Sequence, residues 1–309
     1  MTIVKNMPRK IWMDGSLIEW EEAKIHILTH GLHYGTGVFE GIRCYDTNHG
    51  PAVFRLADHI QRLMDSGKIY FMDIEYSKEQ LHAAVLDTIK ANEMRECYIR
   101  PIAYYGYGKM GVNPLPNKVS VAIIVWKWDE YLKANNSGNG ARLMVSAWMR
   151  IDAKSMPTHA KSTANYANSA LARVEAIKAG FDEAIMLNSN GMVVEASAEN
   201  VFIVKDNTLI TPPTTSGALR GITRDSILSL AKEHKISCNI HDISRDELYI
   251  SDEVFLTGTA AEIKPVSEID NRMIGDGREG RITKQLTALF KAVIQGNDKK
   301  FSKMWLTLM

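Results

Sequence analysis

Two glycine-containing pairs, Asp14-Gly15 and Asn190-Gly191, each lie between short apolar runs and constrain the fold more than any other feature of the sequence. Such pairs tolerate the positive φ of a tight hairpin, so they predict antiparallel neighbours. A purely parallel sheet has no place for them, because its strands are joined by long crossovers. Ile11-Trp12-Met13 and Leu17-Ile18 flank the first turn, and Ala184 to Asn188 and Met192 to Glu195 flank the second. Further strand-like runs extend from Val38 to Tyr45, Tyr98 to Tyr105, Val119 to Trp126 and Leu143 to Trp148. Helical spacing follows Ser77, where Leu81, Ala84, Val85, Thr88 and Ile89 form one stripe and Ser77 with Gln80 forms a capping box. Helices are also expected from Asn165 to Lys178, Thr223 to His234 and Thr283 to Gln295, the last stopping at Gly296. Strands and helices mix without strict alternation, which predicts an α+β fold.

A chain of 309 residues has room for two cores. The polar, Gly/Asn/Ser-rich stretch 133–140 predicts a linker between a smaller N-terminal domain, residues 1–132, and a larger C-terminal domain, residues 141–309. Its 37 basic and 36 acidic residues nearly cancel and form no like-charged block, so small molecules are the expected partners, not nucleic acid or a membrane surface. Cys44, Cys97 and Cys238 show no paired zinc-ligand spacing, and no metal is expected. With no apolar run of spanning length and no apolar segment behind the first basic residues, the expectation is a cytoplasmic protein.

Gly106-Tyr107-Gly108-Lys109-Met110-Gly111 matches the dinucleotide fingerprint G-x-G-x-x-G. That motif needs a helix to start within it, and Pro114 and Pro116 forbid one here, so a loop is expected.

Three stretches of the second half carry the chemistry. Thr158-His159-Ala160-Lys161-Ser162-Thr163-Ala164-Asn165-Tyr166 puts a lysine among small residues before a helix; Glu195-Ala196-Ser197-Ala198-Glu199-Asn200 puts two carboxylates at the end of a hairpin. Leu219-Arg220-Gly221-Ile222-Thr223 opens a helix, where backbone N–H groups and the helix dipole favour a phosphate. Singly, each has an ordinary explanation: a solvated lysine, a surface ion pair, a helix cap.

Together with His33-Tyr34-Gly35-Thr36-Gly37-Val38-Phe39-Glu40-Gly41-Ile42-Arg43, His59-Ile60-Gln61-Arg62-Leu63, Tyr98-Ile99-Arg100-Pro101 and Thr257-Gly258-Thr259-Ala260-Ala261-Glu262-Ile263, they resemble the branched-chain amino-acid aminotransferases. These are fold-type IV pyridoxal-phosphate enzymes with a D-amino-acid-aminotransferase-like fold, and the resemblance runs from Trp12 to about Phe290. It implies pyridoxal 5′-phosphate as cofactor, bound covalently by Lys161, with Glu195 at the pyridine nitrogen, Tyr166 at the ring hydroxyl, and Arg62, Ile222, Thr223 and Thr259 on the phosphate. For the substrate it implies apolar walls from Phe39, Tyr34, Trp128, Tyr131 and Tyr166, and Arg100 for the glutamate side-chain carboxylate. Tyr98 and the N–H groups of Thr259 and Ala260 are implied for the α-carboxylate, and Met110 and Val112 for a neighbouring subunit's pocket, hence a homodimer or homohexamer. The implied substrates are branched-chain L-amino acids, glutamate and their 2-oxo acids, exchanged in a ping-pong reaction. Arg220, Ala164 and Ala198 depart from the Pro and Gly of many bacterial relatives. Same-fold alternatives are a D-amino-acid aminotransferase, whose Arg-x-His strand pattern is absent from Tyr98-Ile99-Arg100, and an aminodeoxychorismate lyase. A non-catalytic binding protein would have required loss of Lys161 or Glu195.

Overall fold

The computed structural model describes residues 8–127 and 140–309. Two compact units emerge: one comprises Met1–Asp129, Ala160–Ala164 and Val293–Met309, the other Glu130–His159 and Asn165–Ala292.

The first unit is built on an antiparallel sheet of eight strands among the described residues. Their order is Leu306–Leu308, Gly50–Phe54, Ile42–Thr47, Cys97–Tyr105, Val119–Trp126, Lys10–Met13 and Ser16–Glu19, with Gly37–Phe39 paired to Cys97–Tyr105. The first hairpin forms as expected, with Asp14 and Gly15 at φ 46° and 94°. Because strand side chains alternate between faces, Ile99, Ala103 and Tyr105 join Val121, Ile123 and Val125 in the core, while Ile102, Tyr104, Ala122 and Ile124 line a groove on the other face. Helices Leu56–Ile69 and Lys78–Ala91 contribute to that core. All five residues of the expected stripe are buried, and the Ser77–Gln80 box caps the helix.

In place of the single strand expected from Val38 to Tyr45, two form, Gly37–Phe39 and Ile42–Thr47. The break at Glu40-Gly41 turns the Glu40 carboxylate into the interior, fully buried, while its N–H donates to the Pro101 carbonyl at 2.8 Å. The other edge of Gly37–Phe39 receives the lysine segment: the Phe39 N–H donates to the Lys161 carbonyl and the Thr163 N–H to the Gly37 carbonyl, each at 2.9 Å. These bonds satisfy main-chain groups that would otherwise be buried without partners. They explain why Ala160–Ala164 belongs to the first unit although the expected boundary put Lys161 in the C-terminal domain. Apart from Gly140, the expected linker 133–140 lies outside the described residues.

The second unit holds a mixed sheet of nine strands among the described residues. Its order is Val193–Ala196, Glu183–Leu187, Ala141–Val145, Glu262–Ile269, Glu253–Gly258, Asn200–Lys205, Thr208–Thr211 and Cys238–Ile240, with Arg272–Met273 beside Glu262–Ile269. Leu143, Ile185, Val201, Leu256 and Ile269 are fully buried in its core. Gly191 takes the positive φ that its hairpin requires, 77°. Helices Asn165–Lys178 and Ile222–Glu233 start within one residue of expectation, whereas the strand expected to reach Trp148 ends at Val145.

The stretch Gly106 to Gly111 opens no helix. It leads into a loop closed by Asn117, which accepts from the Lys109 N–H at 2.6 Å and donates to the Lys109 carbonyl at 3.0 Å. No described helix is long and apolar enough to cross a membrane.

Candidate active site

In the first unit the lysine segment and the broken strand lie side by side. Lys161 Nζ is 5.2 Å from the centre of the Phe39 ring, and its backbone N–H donates to Ser66 Oγ at 3.1 Å. The next residue, Ser162, is fully buried and accepts from the Tyr70 hydroxyl at 2.9 Å. The segment is thus held by main chain and hydroxyls, with the lysine amine over an aromatic ring.

Arg100 lies against the same ring, its guanidinium carbon 4.7 Å from the Phe39 centre. Its Nη2 donates to the buried Tyr98 hydroxyl at 3.2 Å. Gly41 makes room for that hydroxyl: a Cβ at position 41 would fall 2.0 Å from it.

Behind this surface, three polar residues form a buried group. Glu40 accepts from Arg62 Nε at 2.6 Å and Nη2 at 2.8 Å, and pairs with His59 Nδ1 at 2.7 Å. Burial alone would raise the Glu40 carboxyl, but the charge and hydrogen bonds of Arg62 and His59 together hold it well below the usual carboxylate range. Burial lowers the His59 imidazole, outweighing the Glu40 hydrogen bond that raises it. Arg62, expected on a phosphate, directs two of its nitrogens at Glu40.

In the second unit, Glu195 stands at the end of strand Val193–Ala196, largely buried. One oxygen pairs with Arg150 Nη2 at 2.9 Å; the other accepts from Asn200 Nδ2 and the Leu219 N–H, both at 3.1 Å. Nearby, helix Ile222–Glu233 begins at Gly221, whose backbone is extended and offers no side-chain cap. A Cβ there would fall 1.8 Å from Asn200 Oδ1, so the glycine lets the helix start approach the residue that holds Glu195. Ile222 and Thr223 are buried in the first turn. Thr259 and Ala260 are half-buried in the turn between strands Glu253–Gly258 and Glu262–Ile269, and Tyr166 is half-buried on helix Asn165–Lys178.

Of the other expected site residues, Tyr34 ends the short helix His30–Tyr34, and Met110 and Val112 are exposed on the glycine loop. Trp128 and Tyr131 lie outside the described residues. Neither Ala164 nor Ala198 adopts positive φ, so a Cβ is accommodated at both, and Arg220 is exposed. Motifs and spacing assign no role to Glu40, His59, Trp126, Arg150 or Asn200. A carboxylate inside the apolar run Val38-Phe39-Glu40 was the available signal for the first, since a buried charge requires partners.

A family model described as amino-transferase class IV matches residues 37–269. The chain belongs to this family. It is 46% identical to the branched-chain-amino-acid aminotransferase of Salmonella typhimurium over 290 residues, 94% of each chain. The branched-chain amino acid aminotransferase of T.th., solved with N-(5′-phosphopyridoxyl)-L-glutamate, superposes with a TM-score of 0.93 at 43% identity, covering 99% of both chains. The same TM-score, identity and coverage relate this chain to that protein solved with 4-methylvaleric acid. The α+β architecture is thus that of the class IV aminotransferases, and this aminotransferase is a transaminase by family.

Proposed function

We propose that this transaminase uses pyridoxal 5′-phosphate to exchange amino groups between L-leucine, L-isoleucine or L-valine and 2-oxoglutarate. The observation that carries the reading is the shared ring: the Lys161 amine and the Arg100 guanidinium lie 5.2 and 4.7 Å from the centre of Phe39. An amine for the chemistry and a cation for a distal carboxylate, joined by apolar surface, suit side chains that are aliphatic in one half-reaction and acidic in the other. The two ligands solved with the T.th. protein have that pair of characters, one a glutamate adduct and the other an acid with the carbon skeleton of leucine.

The residues fit the cofactor. Three donors occupy the Glu195 carboxylate, leaving about one of its four lone-pair sites for a ring N–H. The start of helix Ile222–Glu233, at Gly221 and without a side-chain cap, has the polarity that a phosphate needs. When bound, pyridoxal phosphate supplies an aldehyde that takes up amino groups and a ring that accepts electrons as the Cα proton leaves.

Lys161 is assigned the covalent attachment and, once displaced by the incoming amine, the transfer of the Cα proton. Glu195 would hold the ring nitrogen, Tyr166 the ring hydroxyl, and Arg62, Ile222, Thr223 and Thr259 the phosphate. Tyr98, whose oxygen accepts from Arg100, is assigned to the α-carboxylate, which the N–H groups of Thr259 and Ala260 also receive. Phe39, Tyr34, Trp128 and Tyr131 give apolar walls. A homodimer or homohexamer is part of this reading. It is supported by exposed Ile27, Leu32, Met110, Val112 and Leu115, and by the groove of about 580 Å³ beside Ile25 and Leu32. The proposed compartment is the cytoplasm.

Absorbance spectra of protein reloaded with pyridoxal phosphate test the reading, recorded before and after L-leucine with a Lys161→Ala variant alongside. A visible band that L-leucine bleaches in wild type only is the expected result. Bleaching by D-amino acids alone would move the chain to the D-specific branch, and a protein that takes up no cofactor would sink the proposal.

A further inference from the structure

Arg100 differs from the other site arginines in how its charge is met. Arg62 and Arg150 are each paired with a carboxylate. Arg100 has no carboxylate partner among the described residues; its one hydrogen bond there goes to the Tyr98 hydroxyl, and its Nε is buried without an acceptor. Three rings surround it instead: the guanidinium carbon is 4.7 Å from the centre of Phe39, 5.4 Å from Tyr98 and 5.8 Å from Trp126. Sheet register builds this cage. Trp126 is the cross-strand partner of Tyr98, their rings are 5.0 Å apart, and Arg100 stands two residues further along on the same face.

We propose that Trp126 is a specificity-determining residue that, with Phe39 and Tyr98, keeps Arg100 available to an acidic substrate while letting it sit beside an aliphatic one. The proposal rests on Arg100 being the acceptor of the distal carboxylate. The chemistry is that of ring faces: their negative quadrupole attracts the cation without engaging its N–H donors. A fixed carboxylate would stabilise the charge equally well but would occupy those donors and repel an acidic side chain. With rings in its place, the charge is met when a leucine side chain fills the space, and the donors remain for glutamate. Indole is the strongest of the three ring types for a cation, and Trp126 contributes it from the neighbouring strand. Trp126 is thus a positioning residue, acting on substrate through Arg100.

The test measures binding to the holoenzyme of two unreactive acids, glutarate and 4-methylvalerate, by calorimetry, together with KM and kcat for 2-oxoglutarate and 4-methyl-2-oxopentanoate. Trp126→Leu is expected to weaken glutarate about tenfold, the scale of one desolvated cation–π contact, and 4-methylvalerate several times less. The change should appear in KM for 2-oxoglutarate far more than in kcat, and Trp126→Phe should recover part of it. Equal losses for both acids, or no loss, would overturn the proposal; if Trp126→Leu does not fold, the ratio in Trp126→Phe decides the matter by the same criterion. Arg100→Gln separates the assignment of the arginine from that of the cage. If it leaves glutarate binding intact, the assignment of Arg100 falls and takes the cage with it; if it abolishes glutarate binding while the Trp126 variants keep the wild-type ratio, only the cage is wrong.

Discussion

Glu40 and Arg62 are joined through both carboxylate oxygens, at 2.6 and 2.8 Å, at a site where the glutamate has no solvent exposure. The pair fixes the plane of the guanidinium from behind, and His59 fixes the carboxylate in turn. Removing one member strands the charge of the other, which for buried pairs costs about 3–5 kcal/mol. Glu40→Gln should therefore lower the urea midpoint sharply and weaken cofactor retention on dialysis. A variant of wild-type stability with unchanged retention would show that the pair neither supports the fold nor orients Arg62.

The same group sets a pH dependence. Because the folded imidazole of His59 is depressed below its ordinary value of 6.5, the unfolded chain binds a proton that the folded chain refuses as pH falls through that value. Stability from this residue is complete above about 6.5 and declines as pH drops toward the lower folded value. Urea midpoints between pH 8 and 5 should fall on the acid side, with a shallower slope in His59→Gln. Parallel slopes would exclude His59 as the cause. The depressed Glu40 carboxyl adds a further loss only in stronger acid, below its ordinary value of 4.5.

Gly41→Ala adds a methyl group 2.0 Å from the Tyr98 hydroxyl. The phenol must move, and its bond from Arg100 goes with it. Raised KM values for both leucine and 2-oxoglutarate are expected, by about tenfold or more, the scale of a misplaced hydrogen bond to a charged group. Circular dichroism should stay native, and wild-type KM values would show that the Tyr98 position is immaterial to substrate.

Gly221→Ala directs its Cβ into Asn200 Oδ1. Asn200 can yield only by releasing Glu195 or the Leu219 carbonyl, to both of which it donates. Faster cofactor loss and a shifted cofactor absorbance band are expected. If retention and spectrum both match wild type, the helix start and the Glu195 anchor are independent.

Ser77→Ala provides a contrast remote from the chemistry. Loss of the capping bond to the Gln80 N–H should cost about 1 kcal/mol of stability, read from the urea midpoint, while KM values for both substrates keep their wild-type ratio.

What could be read from the sequence was local. The stripe from Leu81 to Ile89, the two glycine hairpins and the starts of helices Asn165–Lys178 and Ile222–Glu233 depend on residues a few positions apart. The helix Leu56–Ile69 carries no start signal in the sequence, because it opens on Arg55 in a left-handed conformation, φ 49°, without a capping side chain. Its spacing of Leu56, Ile60 and Leu63 was the signal to heed. The break at Glu40 was hidden for another reason: its partners are 19 and 22 residues away, and no periodicity encodes such a pairing. Motif resemblance pointed to Lys161 and Glu195 as candidate site residues, but it could not show that Arg150 and Asn200 hold the Glu195 carboxylate, since Arg150 is remote from it in sequence.

The strand Leu306–Leu308 pairs with Gly50–Phe54, and Lys161 to Thr163 pair with Gly37–Phe39. During synthesis, the unit whose residues leave the ribosome first therefore receives one edge partner only after residues 130–159 of the other unit, and the second only after all of that unit, have been translated. A nascent chain arrested at residue 132 would expose two unfilled strand edges, each a template for pairing with another molecule. Interruption of translation consequently leaves open the edges that the finished unit covers.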